Sequence, residues 1–384
     1  MARVVTDQIK NPDKRLRPKN FDYSLFFIVL FILSLGFVML YSTSAYTATL
    51  RQGNAFFFLR KQVFASILGM GAMMFFTFFD YHRLKKYAPI AYVVSFVLCV
   101  LVIFTGSNLN GSSRWLRIGG ISVQPSEIAK VAMIVFFAAI ISGRTNALKD
   151  FRNVVKTLGL IIPIFGVVSY TNLSTGIIIA GIVCIMLFIA YPKVLPFLAI
   201  GGGGLVMVAL FIGTAGYRAT RIDAWLHPEN YVDGTGYQTL QGLYAIGSGG
   251  LFGKGLGNGT QKLGFVPEAN NDMIFSILCE ELGIFGAVCI ILLYILLLYR
   301  LLYIANHAKD MFGSYLAIGI MAHIALQVVL NIAVVSNSMP NTGVTLPFIS
   351  YGGTSVAILL GEMGIALGVS RQMDFDDGLE YEDF

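Results

Sequence analysis

A group of carboxylates at the end of a long polar stretch is the part of the sequence best suited to chemistry. Residues 264–286 read GFVPEANNDMIFSILCEELGIFG and carry Glu268, Asp272, Glu280 and Glu281. Asp272 follows two asparagines and precedes the apolar triplet MIF. Partial desolvation at such a boundary raises the pKa of a carboxylate, which then suits a general base. The same position also suits a helix N-cap, and the residues alone leave the two roles equally open.

A glycine-rich stretch precedes these carboxylates and contributes two lysines. Seven glycines lie between positions 247 and 259, with Lys254 among them and Lys262 just after. Glycine lets backbone amides approach an anion and lysine supplies charge, so this stretch could line a diphosphate. We favour the other interpretation, a re-entrant or hinge segment. Glu280 and Glu281 are predicted to have structural roles, as core-facing partners of external arginines or as interface charges.

Two further groups combine charge with an apolar context. Trp115 lies between Arg114 and Arg117, which predicts either an aromatic anchor at a membrane interface or a sugar platform flanked by cations. Glu127 and Lys130 are three residues apart at the start of an apolar run, so they share a helix face and can pair. A paired Glu and Lys at the end of a membrane span indicates a water-filled cavity.

The elements that must position these residues are membrane helices. The chain has 384 residues, of which 56% are hydrophobic and 12% charged, with a mean hydropathy of +0.73. These values predict an all-α polytopic membrane protein without a cleavable signal peptide. The four cysteines show no CxxC spacing, which argues against a disulfide framework or a zinc site. We place ten transmembrane helices at about 24–44, 62–79, 87–105, 126–142, 154–170, 174–191, 194–213, 273–302, 312–335 and 349–370.

The distribution of charge predicts the orientation. Most of the 27 Lys and Arg fall on segments that are cytoplasmic if the N-terminus is inside, so both termini are expected in the cytoplasm. The basic charge therefore reflects membrane topology and does not indicate nucleic-acid binding. The chain divides into a basic tail at 1–20, a membrane domain at 21–371 and an acidic tail at 372–384. Three polar loops are expected on the outer side: 106–125, a large one at about 214–272 between spans 7 and 8, and 336–348.

Two ionisable residues fall inside predicted spans. His323 lies in the middle of span 9 and Glu362 lies within span 10, at similar depths. A pairing between them is possible, but we expect each to be satisfied separately by its own neighbours.

These motifs together resemble the SEDS (shape, elongation, division and sporulation) family of peptidoglycan glycosyltransferases, the FtsW/RodA type. The loop GSSRWLRIGG and the ending VSRQ are closer to the FtsW branch than to RodA. The resemblance covers nearly the whole chain, and its stretches are GFVMLYSTSA (36–45), NGSSRWLRIGGISVQPSEIAK (110–130), GYQTLQGLYAIGSGGLFGKGLG (236–257), VPEANNDMIFSILCEELG (266–283) and TGVTLPFISYGGTS (342–355).

The resemblance implies polymerisation of lipid II into glycan strands at the outer face of the bacterial cytoplasmic membrane. The family's catalytic aspartate falls on Asp272, which would deprotonate the 4-hydroxyl of the acceptor sugar. That oxygen would attack the anomeric carbon of the lipid-bearing strand with inversion and expel undecaprenyl pyrophosphate. The expected substrate-binding residues are Arg114, Trp115, Arg117, Glu127, Lys130, Arg218, Arg221, Lys254, Lys262 and Glu268.

The resemblance also bears on cofactors and partners. A divalent cation, Mg or Mn, is a possible aid to pyrophosphate departure, and no organic cofactor is expected. The expected partners are a class B penicillin-binding protein, which cross-links the product, and other divisome or elongasome membrane proteins. Two other classes of function remain open: a flippase that moves lipid II across the membrane, and a non-catalytic division scaffold.

Overall fold

The computed structural model describes residues 21–109, 112–118, 121–213, 223–231 and 234–373. The two predicted tails lie outside the described residues, except for Gln372 and Met373. The helices are α1 (Tyr23–Gln52), α2 (Phe57–Phe78), α3 (His82–Thr105), α4 (Pro125–Gly143), α5 (Phe151–Gly159), α6 (Ile162–Thr171), α7 (Leu173–Ala190), α8 (Val194–Gly213), α9 (Thr235–Ser248), α10 (Ile274–Asn306), α11 (Met311–Val335) and α12 (Gly353–Ser370).

The described part of the chain confirms a polytopic helical membrane protein. It contains eight helices that are long and apolar enough to cross a membrane, or nine if α5 and α6 count as one span. The predicted span at 154–170 is bent in the structure, because α5 and α6 meet at an angle of 44° and form either one broken span or a re-entrant segment. Pro163 in the first turn of α6 suits the start of a new helix, because proline has no backbone N–H to donate to the preceding turn. The total of ten spans stays a prediction.

Local sequence signals explain where several helices begin. The carboxylate of Asp22 accepts a hydrogen bond from the backbone N–H of Leu25 at the start of α1. Asp310 caps α11 in the same way, and Pro125 is the first residue of α4. Side-chain acceptors and an N-terminal proline both suit helix starts, because the first backbone N–H groups have no partner within the helix.

The core forms around α11, which packs against α4, α7, α10 and α12. Close backbone approach is visible where α2 packs along α12. A Cβ placed on Gly364 would lie 2.4 Å from the carbonyl oxygen of Met73, so only glycine fits there. Small residues at such crossings are typical of helix packing in membranes.

The loop between α3 and α4 is not helical and not irregular. It forms a three-stranded antiparallel sheet, in the order β1 (Ser107–Leu109), β2 (Ser112–Ile118) and β3 (Ile121–Val123). The purely α prediction was therefore wrong for this loop. The Gly-Gly pair between β2 and β3 is a common hairpin signal, and Ile118 pairs with Ile121 across the strands.

The polar groups collect at two ends of the helix bundle. At one end, Asp22 pairs with Arg300 at 2.5 Å, and the Tyr81 hydroxyl donates to Asp310 at 2.5 Å. The opposite end, which we name the Asp272 end, brings together segments that are distant in sequence. The indole N–H of Trp225 donates to the carbonyl of Asn337 at 2.9 Å.

Candidate active site

Asp272 lies just before α10, with only 8% of its surface exposed. The side-chain amide of Gln238 on α9 donates to its Oδ1 at 3.5 Å. Asn341 in turn donates to Gln238 Oε1 at 2.9 Å, so the amide that faces Asp272 is itself held. A Cβ placed on Gly343 would lie 3.8 Å from Oδ2 of Asp272. The Asp272 carboxylate therefore contacts α9 through Gln238 and lies beside the loop between α11 and α12 at Gly343.

Two side-chain hydrogen bonds from other elements fix the backbone around Asp272, and one of the two donors also binds the carbonyl of Val344. Asn331 on α11 donates to the carbonyl of Asp272 at 2.8 Å and to the carbonyl of Val344 at 2.7 Å. The hydroxyl of Ser350 donates to the carbonyl of Asn271 at 2.6 Å. These contacts give the carboxylate one defined position, as acid–base catalysis requires.

The surroundings of Asp272 favour its protonated form. Burial, and to a smaller extent the negative charge of nearby Glu268, raise the pKa of Asp272 to about 7. The Gln238 amide and backbone N–H groups act in the opposite direction on this pKa, because they donate to the charged form. A group with this pKa can both accept and release a proton near neutral pH.

Sequence reasoning missed the three amides Gln238, Asn331 and Asn341. Gln238 lies in the stretch GYQTLQGLY, which the resemblance had already singled out. Asn331 lies within an apolar run of the sequence, and this position is the signal that could have found it, because an amide in a membrane span needs hydrogen-bond partners. The structure shows that Asn331 is fully buried.

Glu127 and Lys130 form the predicted pair. The Lys130 Nζ lies 2.8 Å from Glu127 Oε1, and both residues are buried within α4. Ser355, at the start of α12, donates to Glu127 Oε2 at 2.9 Å. This contact joins two of the sequence stretches that carry the resemblance.

The hairpin residues lie at the same end of the bundle. The Arg114 Nε donates to the carbonyl of Thr171 at 3.0 Å, where α6 ends. Trp115, on the same strand, is half-buried, and Arg117 pairs with Ser122 through the backbone register. The hydroxyl of Ser174 donates to the carbonyl of Thr342, next to the glycine beside Asp272. Two of the predicted cations lie outside the described residues: Arg218 and Arg221.

The structure places both predicted diphosphate lysines against carboxylates of α10. The Lys254 Nζ lies 2.7 Å from Glu280 Oε1, and the Lys262 Nζ lies 2.5 Å from Glu281 Oε1. The backbone amides of Lys254 and Gly255 donate to α10 carbonyls, each at 3.0 Å. These amides and ammonium groups are engaged with the helix. The interpretation of this stretch as a re-entrant or hinge segment stays a prediction.

His323 and Glu362 contradict the expectation that each is satisfied separately. The His323 Nδ1 lies 2.9 Å from Glu362 Oε2, and both residues are buried. The pairing arises because α11 and α12 pack side by side, which brings residues 39 apart in sequence to the same depth.

The comparisons with known proteins fit this architecture. The family profile for FtsW, RodA and SpoVE, described as "Cell cycle protein", matches residues 23–374. The chain belongs to the FtsW/RodA/SpoVE family. It is 40% identical to Stage V sporulation protein E of Bacillus subtilis, over 91% of this chain and 97% of that protein. It is 36% identical to a probable peptidoglycan glycosyltransferase FtsW of Geobacter sp., over 93% and 98%.

Two solved structures share the fold of this family member. One is described as "Structural coordination of polymerization and crosslinking by a peptidoglycan synthase complex", with a TM-score of 0.78 and 28% identity over 93% of this chain and 99% of that chain. The other is the Rod shape determining protein RodA of Thermus thermophilus, with a TM-score of 0.67 and 27% identity over 92% and 98%.

The predicted divalent cation finds no protein-built site in the described part of this family member. Among those residues, no three His, Cys, Asp or Glu side chains come close enough to hold a metal. Mg²⁺ commonly binds through one or two carboxylates plus substrate phosphates. The divalent cation stays a prediction.

Proposed function

We propose that this protein is a peptidoglycan glycosyltransferase that polymerises lipid II into glycan strands. The observation that carries the proposal is the position of Asp272. Its carboxylate is buried, is held by amides at the end of the bundle where the polar loops meet, and has a pKa of about 7. Membership of a family that includes probable peptidoglycan glycosyltransferases supports the same activity.

In the proposed reaction, Asp272 accepts the proton of the acceptor sugar's 4-hydroxyl. The oxygen then attacks the anomeric carbon of the lipid-bearing strand, and the bond from that carbon to the pyrophosphate breaks with inversion. Undecaprenyl pyrophosphate leaves with the bonding electron pair. Burial of the base matters because a desolvated carboxylate with a raised pKa is a better proton acceptor near neutral pH.

The leaving group carries several negative charges and needs cations. Arg114 and Arg117 lie on β2, and Arg218 and Arg221 precede α9 in the sequence. We propose that these arginines contact the pyrophosphate, while Trp115 supports a sugar ring and Glu127 with Lys130 lines the adjoining cavity. Fixed positive groups at a developing negative charge stabilise the transition state.

The test is Asp272→Asn, which keeps size and hydrogen bonding but removes basicity. Purified protein is given lipid II in Mg²⁺, Mn²⁺ or EDTA, with moenomycin present to silence unrelated polymerases, and the glycan ladder is read on a gel. We expect wild-type protein to make glycan and Asp272→Asn to make about 10²–10⁴-fold less, the usual cost of lost acid–base catalysis.

Two controls accompany this test. Lipid II binding by Asp272→Asn should match the wild type, and its thermal stability should not fall below that of the wild type, because the substitution leaves the backbone contacts of Asn331 and Ser350 in place. If wild-type protein makes no glycan under any condition but moves lipid II across proteoliposomes, the transport function replaces the proposed one. If the wild-type protein neither makes glycan nor moves lipid II, the scaffold function replaces the proposed one.

We also propose that the Asp272 end faces the outside of the cytoplasmic membrane. Asn230 is exposed at this end, and Lys149 is exposed beyond the C-terminus of α4, at the other end. In a cysteine-free protein, Asn230→Cys should react with an impermeant thiol reagent on intact cells, and Lys149→Cys should not. The reverse pattern would place the site in the cytoplasm.

A class B penicillin-binding protein is the proposed partner. The support is the fold shared with a structure described as a peptidoglycan synthase complex of polymerization and crosslinking. Co-purification with such a protein should increase glycan synthesis. Full activity alone, without a stable complex in nanodiscs, would contradict this partner.

A further inference from the structure

Two adjacent carboxylates of α10 are completely buried, which is costly unless each has a cation. Glu280 and Glu281 are both 0% exposed. Each receives its own lysine from the segment 249–262, which we name the glycine segment. Lys254 serves Glu280 at 2.7 Å, and Lys262 serves Glu281 at 2.5 Å. We name these two ion pairs the latch.

Further hydrogen bonds complete both halves of the latch. Glu280 Oε1 accepts from the backbone N–H of Thr260 at 2.9 Å, and Oε2 accepts from the backbone N–H of Gln261 at 3.2 Å. Glu281 accepts from the hydroxyl of Ser42 on α1 at 2.7 Å, and Lys262 donates to the same hydroxyl at 2.7 Å. The two carboxylates are thus well satisfied, and the second is also tied to another helix.

The backbone is shaped to allow these contacts. Gly283 interrupts α10 with φ 67° and ψ −168°, a conformation that side chains rarely adopt. At Gly253, a Cβ would lie 2.2 Å from the carbonyl oxygen of Glu281. Beyond the break, Ile284 and Phe285 donate backbone hydrogen bonds to Gly250 and Leu251, each at 3.0 Å. The glycine segment therefore packs directly on the broken helix.

The latch brackets the residues that carry the proposed base. Lys262 and Glu281 are 19 positions apart, and Asp272 lies about midway between them. We name residues 263–273 the Asp272 segment. The C-terminal end of this segment is held by Asn331 and Ser350. Its N-terminal end follows Lys262 directly, so the latch fixes the end that Asn331 and Ser350 do not contact.

We propose that Glu280 and Glu281, through Lys254 and Lys262, are positioning residues that hold the Asp272 segment in its buried place. This inference rests on the proposed function of Asp272. It assigns the lysines to the fold of the site and not to contact with the pyrophosphate. Misplacement of a reacting group by about 1 Å can cost about 10²-fold in rate, so a modest opening of the latch should be measurable.

The first test does not depend on activity. In a protein with the four natural cysteines replaced by alanine, Ala269→Cys places a thiol in the Asp272 segment, where Ala269 is 7% exposed. The rate of thiol modification in detergent reports the opening of the segment. We expect Lys262→Met and Glu281→Gln to increase this rate at least about tenfold, and Lys156→Met, an exposed lysine on α5, to leave it unchanged.

The second test uses the pH dependence of glycan synthesis. An opened segment exposes Asp272 to water, so the pKa of Asp272 should fall from about 7 towards its ordinary value of 3.8 in both single variants. If Lys262 acted on Asp272 only through its charge, Lys262→Met would raise the pKa of Asp272, because loss of a positive charge raises the pKa of a carboxylate. Lys262→Met is therefore the decisive variant, and the acidic limb of its rate profile should move to lower pH.

Four outcomes decide the proposal. Faster modification with an acidic limb at lower pH supports the latch. Unchanged modification in Lys262→Met, with reduced synthesis and a raised KM for lipid II, overturns it in favour of direct substrate contact. If the single variants aggregate, the double variant Glu281→Gln with Lys262→Met removes both charges, and normal Ala269→Cys protection in it overturns the latch. If wild-type protein makes no glycan, the proposed function fails, but the modification rates still decide the latch.

Discussion

Glu127 and Asp272 are both more than nine-tenths buried, yet their partners differ in charge. Glu127 has an ammonium group at 2.8 Å and a hydroxyl at 2.9 Å. The described partners of the Asp272 side chain are an amide at 3.5 Å and backbone N–H groups, and the nearby charge of Glu268 is negative. A carboxylate paired with a cation is held in its ionised form. A carboxylate surrounded by neutral donors can exchange a proton near neutral pH, and this difference separates supporting from reacting groups.

The largest effect should come from breaking the Glu127–Lys130 pair. Lys130→Met leaves a buried carboxylate without its cation, which should cost about 3–5 kcal/mol of stability. Glu127→Gln combined with Lys130→Met removes both charges and should recover most of that loss. Thermal unfolding in detergent and glycan yield measure both. Equal and additive losses would indicate that the two residues do not act as a pair.

At Asp272, the corresponding experiment changes pH. Because the pKa of Asp272 is raised to about 7, the base is protonated at acidic pH. Initial rates of glycan synthesis should therefore fall about tenfold per unit below pH 7, or about 10²-fold at pH 5. Stability should change in the opposite direction. A carboxylate whose pKa rises on folding stabilises the fold at low pH, and this contribution is lost as pH rises from about 4 to 7.

The Asp272→Asn variant is the control for this pH experiment. Its stability should lose the part of the pH dependence that Asp272 causes. A flat rate profile between pH 5 and 7 in the wild type would contradict the raised pKa and the proposed base.

Part of the difference between Glu127 and Asp272 could be predicted from the sequence. The spacing of Glu127 and Lys130 fixes their pairing, because residues three apart share a helix face. Asp272 could be placed at a boundary, where desolvation is expected. The latch could not be predicted, because its second half joins Glu281 to Ser42, 239 positions away. The partners of the β-sheet residues and of Asn331 could not be predicted either, because they depend on the packing of whole helices.

His323 and Glu362 provide a smaller test of a paired carboxylate. His323→Leu leaves Glu362 buried and without its described partner, which should cost about 1–3 kcal/mol of stability. Glu362→Gln keeps a hydrogen-bond acceptor for the imidazole and should cost less. Thermal unfolding of both variants measures the difference. A larger loss for Glu362→Gln would indicate that the charge of the pair, and not the hydrogen bond, stabilises this depth of the bundle.

The smallest effect should come from the amide beside Asp272. Gln238→Leu keeps similar volume but removes the donor at 3.5 Å, which favours the ionised carboxylate. The pKa of Asp272 should rise, so the acidic limb of the rate profile should move to higher pH. The shift should stay below about one unit, because a donor at this distance forms only a weak hydrogen bond.

This direction distinguishes the Gln238 amide from the latch, whose loss should move the same limb to lower pH. Asn341→Leu should act in the direction of Gln238→Leu with no greater size, because Asn341 holds the Gln238 amide at 2.9 Å and does not itself donate to Asp272. Gln241→Leu, on the same helix α9, is the matched control and should leave the limb in place. A shift to lower pH in Gln238→Leu would indicate that this residue also holds the Asp272 segment closed. The neutral Gln238 amide would then be a positioning residue, like the ion pairs of the latch. Asp272 alone would be left as the group that reacts.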